Sequence, residues 1–177
     1  MLAPDSFATG MDWLLERTVG SGATSVSFGQ ASFTDLDFAD DVSLLAELLE
    51  LLVLAFELMA DEATSLGLEV NWQNTKIQAL GRREGVPLTV TVKDHEVAVA
   101  EEFVYLGSLI HSSVQSTHDI NRRSAIAHAA MQSLDNQIWR SRVSTSTKLK
   151  YNTCILPICL YGSDCWAVSR TDALQKF

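Results

Sequence analysis

The chain has 177 residues, 47% apolar and 20% charged, ordinary proportions for one folded domain that exclude collagen-like and broadly disordered classes. Its three cysteines, Cys154, Cys159 and Cys165, are odd in number and lack CxxC spacing. That argues against a disulfide framework or a zinc ribbon and for reduced thiols in an intracellular setting, cytoplasmic or nuclear. The net charge of −9 is unevenly spread: residues 1–114 hold 5 Lys+Arg against 18 Asp+Glu, a balance of −13, and residues 115–177 hold 8 against 4, a balance of +4. An acidic front and a basic back suit two tasks, holding cations and meeting phosphates, although an acidic domain ending in Lys/Arg-rich helices has the same arithmetic.

In chain order, Pro4 suits a first helical turn, and Phe7, Met11, Leu14 and Leu15 then recur at helical spacing until Gly20, Ser21 and Gly22 open a turn. From Val26 to Leu45 the pattern becomes β. Two short apolar runs, 33–39 and 42–45, flank Asp40-Asp41 and predict a tight hairpin with both aspartates at its tip. Residues 44–66 predict a long helix stopped by Gly67, with an apolar face wide enough to be buried against a sheet. Its leucine-rich run at 48–60 is too short to span a bilayer and carries Glu50 and Glu57. No basic n-region, apolar run and small-residue cleavage site opens the chain, so a secretory signal is not expected.

Residues 68–80 return to strand-like composition, and Arg82, Arg83, Glu84 and Gly85 form a polar turn. Residues 88–92 and 97–99, flanking Asp94-His95, predict a second hairpin, and 103–106 a further strand. The last third is helical. Ile120, Arg123, Ile126, Ala127, Ala130, Leu134 and Ile138 keep helical spacing behind Thr117 or Asp119 as cap, and a second helix runs from Thr147 towards Leu160, with Pro157 near its end.

Two adjacent carboxylates at a hairpin tip have no core-packing reason to be there. Carboxylate oxygens suit Mg²⁺, which takes one or two protein carboxylates together with waters and substrate phosphates, and paired ions serve nucleotidyl transfer. An Asp-rich turn with no ligand accounts for the same pair. A calcium loop starting at Asp35 fails, because Ala39 stands at its fifth position, Asp40 where glycine is required, and Ala46 at its twelfth. The Gly20-Ser21-Gly22 stretch is an incomplete phosphate loop with no helix after it. His95, His111, His118 and His128 lack ligand-like spacing and suit surface or hydrogen-bonded roles.

The string Phe38-Ala39-Asp40-Asp41 resembles the aspartate-pair motif of reverse transcriptases, in particular those of non-LTR (LINE-type) retrotransposons. Segments further along the chain keep that family's order. Gly67-Leu68-Glu69-Val70-Asn71 with Thr75-Lys76 resembles the next palm motif, and Phe103-Val104-Tyr105-Leu106-Gly107-Ser108 the primer-grip segment. Asp119, Ile120, Arg123, Ala127, Leu134 and Trp139 resemble the first thumb helix, and Leu156-Pro157, Leu160-Tyr161-Gly162-Ser163 and Trp166 the tail beyond it. Upstream, Leu2-Ala3-Pro4 and Met11-Asp12-Trp13 resemble the helix before the aspartate pair. The resemblance covers nearly the whole chain.

It implies an α+β fold: a partial polymerase palm of antiparallel hairpins packed on helices over residues 1–114, then a helical thumb-like region over 115–177. By the same resemblance Asp40 and Asp41 are the catalytic, Mg²⁺-binding residues of an RNA-directed DNA polymerase. Phe38 lies close to the primer end, Lys76 near the incoming triphosphate, and Tyr105, Leu106 and Gly107 seat the primer. Arg122, Arg123, Arg140, Arg142, Lys148 and Lys150 form a basic thumb face for template and primer phosphates, unless they are simply solvated helix faces. Trp139 and Trp166 suit packing better than base stacking.

Asn74 stands where many relatives carry lysine. The family's other metal-binding aspartate and its fingers precede the region matched here, and Asp5, Asp12, Asp35 and Asp37 are no substitutes. The resemblance therefore implies a fragment inactive alone, or a non-catalytic nucleic-acid-binding remnant. It also implies an exposed sheet edge through which the chain self-associates.

Overall fold

The structure, a computed structural model, describes residues 3–20, 24–81, 85–134, 138, 140, 142 and 144–168, without the side chains of 3, 147 and 150–152. Leu2, Ser21, Gly22, the turn at 82–84 and Trp139 lie outside the described residues. The fold is α+β, with four α-helices and eight short strands among the described residues. Every strand belongs to a two-stranded antiparallel hairpin, and the chain divides into two compact units.

The first unit comprises Met1–Thr75 and Thr89–Ala98. Helix α1 (Ala3–Val19) begins with Pro4 in its first turn, as the missing proline N–H permits, and has Asp5 and Arg17 at the ends that complement the helix dipole. Its stripe packs on α2 (Leu49–Ser65) in two clusters. Met11 and Leu14 meet Ala63, with Met59, Val42 and Leu68 around them. Leu15 and Val19 meet Ala55, with Val42 and Leu44 at the margin. Arg17 forks onto both Glu62 oxygens at 2.9 and 3.0 Å, and that hydrogen-bonded partner raises its pKa above the ordinary value.

Three hairpins complete this unit: β1 (Val26–Phe28) with β2 (Ala31–Phe33), β3 (Asp35–Phe38) with β4 (Asp41–Leu44), and β5 (Thr89–Val92) with β6 (His95–Ala98). The last is tied to α2 by carboxylates: Glu57 accepts the Lys93 N–H at 3.1 Å, and the Lys93 ammonium pairs with Asp61. Val92 and Val97 are fully buried. The register puts them on one face with His95, whose ring stacks on Trp72 at 4.4 Å.

Helix α2 starts at Leu49 rather than 44, because Leu44 is paired in β4 and Leu48 keeps an extended backbone. The strand expected over 68–80 does not form. Asn71 instead organises a turn, its backbone carbonyl taking the Asn74 N–H and the Thr75 N–H and hydroxyl, its side-chain oxygen the Asn74 N–H. Side-chain and backbone bonds of this local kind compete directly with a ladder. One parallel bridge, Ile77 with Val99, is what remains of β pairing there.

The second unit comprises Lys76–Leu88 and Val99–Phe177. Hairpin β7 (Glu102–Tyr105) with β8 (Ser108–His111) contributes one strand more than expected, and it packs on α3 (Thr117–Ser133). Gln78 spans the hairpin base, donating to the Glu101 and Ile110 carbonyls at 3.1 and 2.9 Å. Helix α4 (Thr145–Leu160) packs on α3, carries Pro157 in its last turn, and is followed by a 3₁₀ turn, Ser163–Cys165. Ile120, Ala127, Ile138 and Ile155 are buried.

The residue before α3 is Ser116, and its side chain makes no cap. Its hydroxyl instead accepts the Ala167 N–H at 3.0 Å. Thr117 and Asp119, the expected caps, are both inside the helix.

Candidate functional site

Strands β3 and β4 pair Asp35 with Leu44, Leu36 with Ser43, Asp37 with Val42 and Phe38 with Asp41. Cross-strand partners share a face, so the hairpin has two distinct sides. One carries Val42 and Leu44 into the contacts with α1 and α2. The other carries Asp41 beside Phe38 and Leu36, which are 63% and 47% exposed. Ala39 and Asp40 form the two-residue loop, with Ala39 left-handed at φ 57°.

Asp40 and Asp41 are both exposed, and among the described residues no ion pair or hydrogen bond holds either carboxylate. The pair is therefore open to a ligand. Mg²⁺ asks a protein for one or two carboxylates and completes its shell with water and phosphate. Asp40 and Asp41 are two such carboxylates; among the described residues no three His, Cys, Asp or Glu side chains come together to hold a metal ion.

A second cluster gathers around the tip of β7–β8. Leu106 and Gly107 form its loop, both left-handed, at φ 46° and 84°, which matches the type I′ turn that fits the twist of a hairpin. The Gly107 carbonyl accepts Arg122 Nη1 at 3.0 Å and also Arg123 Nη2. The Leu106 carbonyl accepts the Tyr161 hydroxyl at 3.0 Å. The Arg123 guanidinium lies over the Tyr161 ring, 4.3 Å from its centroid.

Beneath this, Asp119 is 3% exposed and fully engaged. Oδ1 accepts the Leu109 N–H at 2.9 Å, Oδ2 accepts the Trp166 indole N–H at 2.9 Å, and Arg122 Nη1 lies 3.7 Å from Oδ1. A buried carboxylate needs such partners to remain charged without a large desolvation cost.

The structure thus brings Phe38 together with Asp41, and Leu106 and Gly107 together with Arg122 and Arg123. Tyr105 is half-buried opposite Ser108. Lys76 is exposed, as are Arg140 and Arg142; Lys148 is half-buried, and the Lys150 side chain lies outside the described residues. Arg123 is nearly buried, and its guanidinium points into the protein, where the sequence led to the expectation of an outward basic face.

Sequence reasoning missed the parts of Asp119 and Tyr161. A carboxylate near a helix start reads as a cap, and only the fold brings Trp166 to it. His111 and His118 also meet unexpectedly, their rings stacked at 3.6 Å, with His111 hydrogen-bonded to Ser113 at 2.8 Å. No helix among the described residues is long and apolar enough to cross a membrane.

No family model matches the chain, and no solved structure matches it. Among curated proteins it is 26% identical over 148 residues, 78% of its length, to an uncharacterised transposon-derived protein of Caenorhabditis elegans. The chain spans about half the length of that relative, its match covering 50%. It is thus similar to a protein of transposon origin.

Proposed function

We propose that this chain carries the second half of the palm and the thumb of a LINE-type reverse transcriptase, and that alone it binds an RNA template paired to a DNA primer without extending it. The observation that carries this reading is the end of β3–β4, where two adjacent carboxylates, without a partner among the described residues, stand in solvent with an exposed phenyl ring beside them. Similarity to a transposon-derived protein supports the same origin.

A Mg²⁺ ion at Asp40 and Asp41 would neutralise phosphate charge and stabilise the oxygens exchanged in nucleotidyl transfer. The chain's own residues divide the remaining work. Phe38 offers a flat apolar surface to the primer end, and Lys76 a compact charge to a triphosphate. Tyr105, Leu106 and Gly107 seat the primer strand. Arg140, Arg142, Lys148 and Lys150 neutralise backbone phosphates, which sets affinity and orientation but not sequence preference.

The same carboxylate count explains the expected inactivity. Two neighbouring aspartates, with no third donor among the described residues, are a poor frame for two ions in reacting geometry. Lost positioning of that kind removes rate factors on the order of 10⁵. It also favours a second reading, a nucleic-acid-binding module with no catalysis of its own.

Binding of a labelled primer–template against salt, run beside primer extension in Mg²⁺, tests both readings. The expected result is binding whose log K falls with log salt by about 0.7–0.9 per phosphate contacted, with no extension. Absence of binding at low salt contradicts both, and extension by this chain alone contradicts its inactivity.

A further inference from the structure

Arg122, Arg123 and Tyr161 each donate a hydrogen bond to one two-residue turn. Both peptide carbonyls at the tip of β7–β8 are capped: Leu106 by the Tyr161 hydroxyl at 3.0 Å, Gly107 by two guanidinium groups. The capping groups also hold each other, since Arg123 lies over the Tyr161 ring. Among the described residues Arg123 Nε is buried with no hydrogen-bond partner, so this side chain is placed for the carbonyl and the ring and not for solvent.

The fit is tight from the turn's side as well. A Cβ on Gly107 would come 3.1 Å from a Tyr161 ring carbon and 3.2 Å from Arg123 Nη2. Leucine is unfavourable in the left-handed region, and Leu106 adopts it at φ 46°. An unfavourable backbone persists where its surroundings over-determine it, and here the clamp is that surrounding.

We infer that Arg122, Arg123 and Tyr161 are positioning residues for a nucleic-acid strand: they act through the Leu106–Gly107 turn, fixing its shape and covering its carbonyls, and do not themselves grip phosphates. An anionic backbone approaching this turn meets carbonyl oxygens already occupied by donors, with guanidinium charge behind them. Leu106, 40% exposed, is left as the outward contact. The inference rests on the reading of this turn as a primer seat, and it removes two of the six basic residues from the phosphate-contacting set.

The test uses the full chain and two probes of equal length, a DNA primer recessed on an RNA template and the blunt duplex. Tyr161→Phe removes the hydroxyl and keeps the ring under Arg123. Arg123→Lys keeps the charge and loses the planar fork. Each is expected to lower the wild-type preference for the recessed end by about 2- to 10-fold, the value of one ordinary hydrogen bond. The slope of log K against log salt stays unchanged.

A slope reduced by about 0.7–0.9 in Arg123→Gln would mark a phosphate contact and overturn the inference. So would equal weakening of both probes, which is a structural role alone, or full retention of the preference in both variants. A wild-type chain that binds neither probe, or shows no preference for the recessed end, overturns the primer-seat reading together with the clamp. A wild-type preference untouched by the substitutions overturns the clamp alone.

Discussion

The indole N–H of Trp166 donates to Oδ2 of Asp119 at 2.9 Å, joining the segment beyond α4 to the start of α3. Oδ1 of the same carboxylate takes the Leu109 N–H, so one buried side chain fastens a hairpin, a helix and the tail beyond α4. Asp119→Asn keeps one acceptor but turns an amide NH₂ towards a donor. The expected loss is about 1–3 kcal/mol, the cost of stranding a buried polar group, read by urea unfolding. Trp166→Phe should cost about 1 kcal/mol, and the double variant less than the two losses added, because the groups share one bond.

Gly162 tests the docking of that tail on the hairpin. It is left-handed at φ 71°, and a Cβ there would lie 2.5 Å from Ser108 Oγ. Gly162→Ala is expected to destabilise by the left-handed penalty of roughly 1–2 kcal/mol plus the clash. Adding Ser108→Ala should recover the clash and leave the backbone penalty, a partial rescue visible as a rise in melting temperature over the single variant.

Asp40 and Asp41 should behave in the opposite way from Asp119. Both are exposed, so Asp40→Asn and Asp41→Asn are expected to leave stability within about 0.5 kcal/mol of the parent. Primer–template affinity should then lose its dependence on Mg²⁺. Melting curves and binding with and without EDTA check the two halves; a large loss of stability would give these aspartates a structural role instead.

The hairpins β1–β2 and β3–β4 expose Phe28, Phe33, Leu36 and Phe38 at 66%, 41%, 47% and 63%, with Phe28 and Phe33 in edge-to-face contact at 6.1 Å. Two-stranded hairpins leave edge N–H and C=O groups unpaired, and exposed apolar side chains beside them favour association. Sedimentation velocity is expected to show mass rising with concentration. Phe28→Ser with Phe38→Ser should lower that association without lowering helix content.

Much of this was legible in the sequence. The α1 stripe at Met11, Leu14 and Leu15, a hairpin at the aspartate pair and the helix stopped by Gly67 follow from periodicity and turn chemistry, which act within a few residues. Phe7, expected in that stripe, is 38% exposed, and the two-residue loop is Ala39-Asp40, with Asp41 already paired in β4 and not at the tip. The β7–β8 hairpin was half legible: 103–106 read as a strand, but its partner strand did not, and Leu106 lies in the turn as an improbable left-handed residue, tolerated because the distant Tyr161 and Arg123 hold it. Residues 68–80 misled because β-prone side chains gave no sign that Asn71 would organise a turn. The outward basic face was over-read at Arg123, since charge alone does not say which way a guanidinium points. What stayed hidden at Leu106 and Arg123 depended on partners far along the chain, and at 68–80 on a local turn.

The central claim is that the Asp40-Asp41 pair is a divalent-cation site for nucleic-acid chemistry. Paramagnetic broadening by Mn²⁺, followed residue by residue in the amide spectrum with primer–template and a deoxynucleoside triphosphate present, tests it most directly. The account predicts broadening centred on Phe38, Ala39, Asp40, Asp41 and Val42 and abolished by Asp40→Asn with Asp41→Asn. Broadening centred on the other acidic residues, or unchanged in that double variant, would contradict it.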